Sequence, residues 1–398
     1  MTSRSLGVFV AALFSVQAVT AGDPAKPDEG ERLVQQLSSQ QFAEREAAAK
    51  ELIARGTAAK AAVLTGTKHS DPEVAQRCKS ILEQVRTNER RDFIAGKADW
   101  PSPSGKKFRD IVGDNDASRK LFAEVLADEN RAAIVDKVGD SADLASRAYA
   151  SEVLRLDKAA LKATPIVPAL PSPRDALVAA QRASKAAVGP GDVALVLFLG
   201  ALREPSEAEP PLRHGGVLSA SFIELGRGAM KDPMCKLYLA WLDRQSDPDS
   251  LVAGLEGSLY VPIPEAAKVA RRLLLAPKAS EGVLLNCYLV LGYHGKSDDL
   301  ALLVKFRNDE RVLAVHGSKD SQKIDIQVRD LAAAMSLKLR GQDPVVYGFP
   351  SEVVTRWWAA PDPFPFKNPL PFKTPQARGE AMQRAWAWLD QRAKPLEK

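Results

Sequence analysis

Histidine and cysteine are scarce in this chain: four and three, respectively, in 398 residues. There is no H-E-x-x-H, no histidine pair one helical turn apart and no C-x-x-C, so no zinc-site pattern is present. The nucleophile-elbow motif G-x-S-x-G, the dinucleotide fingerprint G-x-G-x-x-G and the calcium-loop spacing are also missing. Two near matches fail on context. Gly295-Lys296-Ser297 ends like a phosphate-binding loop, but Val290 stands where that loop needs its first glycine, and a helix rather than a strand precedes it. Ser104-x-x-Lys107 imitates a serine–lysine acyl-transfer motif, but it falls in an expected linker and no S-D-N or K-T-G follows. No cofactor and no metal are therefore expected.

Long apolar runs and an excess of charge are lacking too. Beyond the first residues no segment reaches the length of a membrane span; Val193–Leu202 is the longest near the middle and reads as a buried helix or strand. Net charge is +5, and it falls to +4 (54 Lys and Arg against 50 Asp and Glu) if residues 1–21, which carry only Arg4, are removed. With no long basic run, nucleic acid is not expected as a partner. Cys78, Cys235 and Cys287 allow at most one disulfide; each lies among apolar residues on an expected helix and reads as a core thiol, with any pairing left open.

Residues 1–21 have the pattern of a signal peptide. Arg4 gives the basic end, Leu6–Val16 the apolar segment and Val19-Thr20-Ala21 the small residues, with cleavage expected between Ala21 and Gly22. The alternative is an uncleaved anchor. No cysteine follows the junction, so a lipid anchor is not expected there. Export to the periplasm or cell envelope is the expectation, with no stable membrane span after processing.

What the chain has in quantity is helix grammar. Phe42–Arg55 is built of good helix formers and stops at Gly56, after which Thr57 is expected to cap a shorter helix. Ser70-Asp71-Pro72-Glu73 reads as a capping box with proline in the first turn, and Val74, Cys78, Ile81, Leu82 and Val85 then follow helical spacing. Ser246-Asp247-Pro248-Asp249 repeats the start signal. Displaced by 254 positions, Asp71, Val74, Cys78 and Ile81 fall on Asp325, Val328, Ala332 and Met335, and the stripe Ile324, Val328, Leu331, Ala332, Met335 and Leu339 predicts a helix ended by Arg340 and Gly341. Short amphipathic helices of this kind bury their stripes by stacking in pairs.

Asp71-x-x-Val74 with Cys78, Ile81 and Leu82, and Asp325-x-x-Val328-Arg329 with Ala332, resemble the second helix of a HEAT repeat, D-P-x-V-R-x-x-A-x-x-A-L. The family's arginine is Ala75 in the first copy, and in the preceding segment Arg45 takes that slot with Glu44 in place of the valine. The chain also resembles secreted, uncharacterised bacterial HEAT-repeat proteins at FAEREAAAKELIARG, FRDIVGDNDASRKLFAEVL and IQVRDLAAAMSLKLRGQDPVVYGF. The resemblance implies an all-α fold, an α-solenoid of about eight or nine helical hairpins with a Pro/aromatic-rich C-terminal tail.

The expected organisation is a signal peptide at 1–21, a HEAT-like block at 28–95, a continuation at 106–163, a second block at 172–349, and at 350–398 a Pro/aromatic tail with a last helix, Gln376–Arg392, that carries Met382, Ala385, Trp386 and Leu389 on one face. Gly96–Lys107 reads as a linker, and Pro165, Pro168, Pro171 and Pro173 mark the boundary between the blocks. Gly189-Pro190-Gly191-Asp192 reads as a helix break. In the tail, Trp357, Trp358 and Phe364 stand among prolines. They either offer a partner surface for a sugar or peptide, or wrap the end of the helical array; the wrap is the favoured reading.

The leading functional expectation is a non-catalytic scaffold with a protein partner. An enzyme, hydrolase or lyase, assembled from His214, Cys235, Tyr293 and His294 is the alternative, and a glycan-binding protein using the tail aromatics is the third. Against the enzyme, His294-Gly295 and His316-Gly317 read as helix C-terminal punctuation.

Overall fold

Helix boundaries follow the local signals closely in the first part of the chain. The computed structural model describes residues 29–139, 141–163, 188–204, 228, 230–276, 279–316, 324–354, 366–369 and 372–393. Residues 1–21, expected from sequence to be a signal peptide, and the prolines at 165–173 lie outside the described residues. The protein is mostly helical, with helices packed against one another, and it divides into two compact units, residues 1–92 and 93–398.

The first unit holds α1 (Glu29–Gln36), α2 (Phe42–Arg55), a 3-10 turn (Gly56–Ala59), α3 (Lys60–Gly66) and most of α4 (Pro72–Ile94). Gly56 ends α2 with φ +53°, a conformation glycine adopts at little cost. Two start signals differ from the sequence expectation. Thr57 does not cap α3; its hydroxyl donates to Glu89 of α4 at 2.9 Å, beside the Lys60–Glu89 ion pair. At α4 the aspartate, not Ser70, supplies the cap: Asp71 Oδ1 accepts the Glu73 N–H at 2.8 Å. Asp sits immediately before the N1 proline, so its oxygen reaches the second amide of the helix. Each helix buries one stripe, through Leu33, Leu37, Leu52, Val63, Val74, Cys78, Ile81 and Val85. The outer faces carry charge, and Arg77 links α4 to α2 by binding Glu46 at 3.0 Å.

The second unit opens with α5 (Ser102–Val112), α6 (Asp116–Val125), α7 (Glu129–Val138) and α8 (Ala142–Ala163). The expected linker Gly96–Lys107 is thus partly helical, and its Trp100 is buried in a cluster with Phe93, Phe108 and Phe122, ring centroids 5.1–6.2 Å from the indole. Arg119 closes that cluster. Its guanidinium lies over Phe93 and Trp100, binds both oxygens of Asp114 at 2.7 and 3.0 Å, and donates to the Phe93 and Ala98 carbonyls. Tryptophan among prolines imitates a loop; the core it completes is supplied by helices further along the chain.

Next come α9 (Pro190–Leu202), α10 (Lys231–Asp243), α11 (Pro248–Tyr260), α12 (Ala266–Leu274), α13 (Glu281–His294) and α14 (Asp299–Val304). Gly189-Pro190-Gly191-Asp192 forms the start of α9, and the preceding segment that it is expected to break lies outside the described residues. Pro190 takes the first turn, and Asp192 Oδ2 accepts the Gly189 N–H at 3.0 Å. Gly191 packs so tightly on the Glu124 carbonyl of α6 that any side chain there clashes with backbone. Residues 191–201 are all buried, enclosed by α6, α8 and α10. A helix apolar on every side has to be central. Asp247 repeats the role of Asp71, accepting the Ser250 N–H at 2.8 Å to start α11.

The chain then departs from all-α. Strands β1 (Val312–His316) and β2 (Ile324–Gln327) pair antiparallel, with Val312 opposite Gln327 and His316 opposite Ile324. The expected helix over Ile324–Leu339 therefore begins only at Val328, as α15 (Val328–Leu339), and His316 ends a strand rather than a helix. Ile324-Asp325-Ile326 alternates with period two, but over too few residues to be distinguished from a helical stripe. A 3-10 turn (Pro344–Tyr347), the antiparallel pair β3 (Ser351–Val354) and β4 (Phe366–Pro369), and α16 (Pro375–Ala393) complete the unit.

Asp192 joins three helices. Its Oδ1 takes hydrogen bonds from Arg131 of α7 at 3.0 Å and Arg155 of α8 at 2.6 Å. Burial pushes its carboxyl up, but Arg155, the Gly189 N–H and Arg131 outweigh burial and hold it below the usual aspartate value. Removing one partner of a buried ionic network leaves charges unpaired. Asp192→Ala is expected to lower stability by about 3 kcal/mol in guanidinium unfolding, and Asp192→Asn, which keeps an acceptor oxygen, by less.

Candidate functional site

Of the four residues proposed for an assembled enzyme site, Cys235, Tyr293 and His294 are among the described residues. His214 lies outside the described residues, as do Trp357, Trp358 and Phe364. Cys235, half-buried on α10, and His294, at the end of α13, both feel the charge of Glu265, yet no hydrogen bond connects Cys235 with His294 or Glu265. Burial pushes the Cys235 thiol up to about 11, the opposite of what a nucleophilic cysteine needs. The His294 ring is bound through Nε2 to the Ser258 carbonyl at 3.0 Å, which fixes the end of α13 to α11. Tyr293 places its ring 4.9 Å from the Lys338 ammonium of α15. Cys78 and Cys287 are buried, each with a thiol raised by burial, Cys287 to about 12. All three cysteines are free thiols. Among the described residues no cluster of His, Cys, Asp and Glu suits a metal ion, and no helix is long and apolar enough to cross a membrane.

A different site emerges at the C-terminal end of the second unit. One face of α16 lines an open groove of about 450 Å³, opposite Arg307 and Asn308 after α14 and Arg329 on the first turn of α15. The α16 positions in the wall run from Pro375 through Arg378, Gly379, Met382 and Trp386 to Asp390, which is helical spacing. The adjacent face of the helix, Ala381, Ala385 and Leu389, is buried in the core.

Each arginine is held differently. Arg378 is deepest: it binds Asp325 of β2 at 2.5 Å and lies 3.3 Å from Asp330 of α15, with its guanidinium over Phe372. Asp330 also accepts the Gln327 N–H at 2.8 Å and so caps α15; burial pushes its carboxyl up. Arg329 pairs with Glu310 through Nη1, while its Nε–H is buried without an acceptor. Arg307 stacks 4.8 Å over the Trp386 indole and binds both oxygens of Asp390 through Nη1 alone, at 3.1 and 3.0 Å. The Trp386 indole N–H is also buried without an acceptor.

This arrangement suits recognition of an oxygen-bearing ligand beside an apolar surface. It contains neither a nucleophile nor a general base other than Asp390, which is engaged by Arg307. The sequence placed Met382, Ala385, Trp386 and Leu389 on one helical face, but gave no sign of Arg307 and Arg329, which arrive from other segments. Comparison with family models, with curated proteins and with solved structures found no match.

His294 yields a pH test. Burial pushes its imidazole below the ordinary value of 6.5, partly opposed by the Ser258 carbonyl bond. A folded-state value below the unfolded one means that stability is fully present above about pH 6.5 and is lost as pH falls from there toward the folded-state value. The carboxylates held below 3.8, such as Asp192, titrate outside this window. Thermal melts between pH 8 and 5 are expected to show a decline that flattens in His294→Gln.

Proposed function

We propose that the protein is an exported, non-catalytic scaffold that binds a protein partner in the periplasm or cell envelope, after removal of residues 1–21. In this reading its helices are HEAT-like hairpins, stacked through their apolar stripes. The α1–α4 block supports it: each helix buries one stripe while Arg–Glu pairs occupy the outer faces. The Asp-Pro starts of α4 and α11 are the repeated signal expected of such a family. Enclosure of α9 on all sides departs from an ideal solenoid, in which every helix keeps a solvent face.

The observation that carries the scaffold reading is the groove. Its α16 wall extends over Pro375–Asp390, about 22 Å at the rise of an α-helix. An open, elongated wall with charged ends and an apolar middle matches a segment of another chain. The tagged mature chain, from Gly22, is expected to retain a defined set of envelope proteins after crosslinking and stringent washing. Recovery of nothing above an unrelated exported control counts against the scaffold. Residues 1–21 fused to an enzyme active only outside the cytoplasm are expected to give activity; an inactive but intact fusion removes the export reading.

A further inference from the structure

We infer that the groove along α16 receives a carboxylate carried by an extended peptide segment, with an apolar side chain of that segment lying on Met382 and Ala387. The inference rests on the scaffold reading and specifies the chemistry of the partner.

Arg307 is the anchor. Nη1 is its only side-chain donor bonded among the described residues, to Asp390, and its side chain is 39% exposed. The indole beneath it and Asp390 beside it fix the plane of the guanidinium, so the Nε–Nη2 edge is a fork pre-set for a second carboxylate. Donors also outnumber acceptors in the wall. Arg329 Nε–H and the Trp386 indole N–H both lack an acceptor, and Asp390 is the one acidic side chain lining the groove beside three arginines.

The balance of charge limits the ligand. Glu310 pairs with Arg329, Asp325 and Asp330 with Arg378, and Asp390 with Nη1 of Arg307, so the Nε–Nη2 edge of Arg307, the most exposed of the three arginines, is what the groove offers a ligand. The groove therefore suits a single carboxylate rather than a polyanion such as nucleic acid. The remainder of the wall is apolar or small at Pro375, Gly379, Met382, Trp386 and Ala387, with Asn308 and Gln383 as neutral polar members. A Cβ added at Gly379 meets nothing within 4 Å, so the wall stands clear there.

The test uses the mature chain, immobilised, and three pools of N-acetylated heptapeptides randomised over Ala, Leu, Val and Phe. The first has a central Glu and an amidated end, the second a central Gln and an amidated end, the third a central Gln and a free terminal carboxylate. Retention is read by mass spectrometry. At least one carboxylate pool is expected to be retained about tenfold more than the Gln-amide pool; which one tells whether the carboxylate belongs to a side chain or a chain end. Arg307→Gln is expected to remove the preference, Arg307→Lys to restore part of it, and Gly379→Phe to block retention by filling the groove, all with unchanged thermal melts. Equal retention of the three pools, or a preference that survives both Arg307→Gln and Gly379→Phe, overturns the inference. If wild type and Gly379→Phe capture the same envelope partner, the groove inference fails and the scaffold stands. If the pools show the preference but wild type captures no partner, the scaffold fails and the carboxylate site stands.

Discussion

A helix that is apolar on every side has no face to offer water, and α9 imposes that constraint on the second unit. It has to be surrounded, and α6, α8 and α10 surround it. Its N-terminus would then bring unpaired amides into the interior. Asp192 meets this by binding its own helix start and drawing in Arg131 and Arg155, so α7 and α8 are tied to the N-terminal end of α9. Contact with backbone at Gly191 leaves no room for a side chain and fixes how closely α6 approaches. The aromatic cluster of Phe93, Trp100, Phe108 and Phe122 reaches the same core through Phe198.

How much of this was legible depends on the range of the interaction. Gly56 stopping α2, and the Asp-Pro starts of α4 and α11, are decided within a few residues and could be read directly, although the cap proved to be the aspartate rather than the serine. Val193–Leu202 could be identified as buried but left open between helix and strand, because composition gives burial without period. The β1–β2 pair was missed: Ile324-Asp325-Ile326 fits both a strand and the extension of a helical stripe, and pairing with Val312–His316 decides. Trp100 was hidden in proline-rich sequence, since its partners Phe108 and Phe122 lie on helices that follow.

The groove was the least legible feature. Its wall is drawn from residues 307–308, 329 and 375–390, and no spacing rule joins those segments. Arg378 finds Asp325 and Asp330 about fifty positions upstream, an arrangement decided entirely by how α16 docks. Only the stripe on α16 itself was readable, and the same tryptophan that appeared there as core also supplies the shelf for Arg307. The candidates chosen for chemistry had the reverse fate: Cys235 and His294 are conspicuous as letters, but their surroundings favour the neutral thiol and a structural imidazole.

The thiols have a consequence of their own. Cys78 is enclosed in the first unit and packed against Gly66, and Cys287 is enclosed in the second. With no exposed thiolate, neither exchanges readily with a disulfide while its unit stays closed. Each unit thus contains an internal clock that runs only while that unit is open. In an oxidising compartment, capture of Cys78 or Cys287 records which half of the molecule opened, and makes that opening harder to reverse.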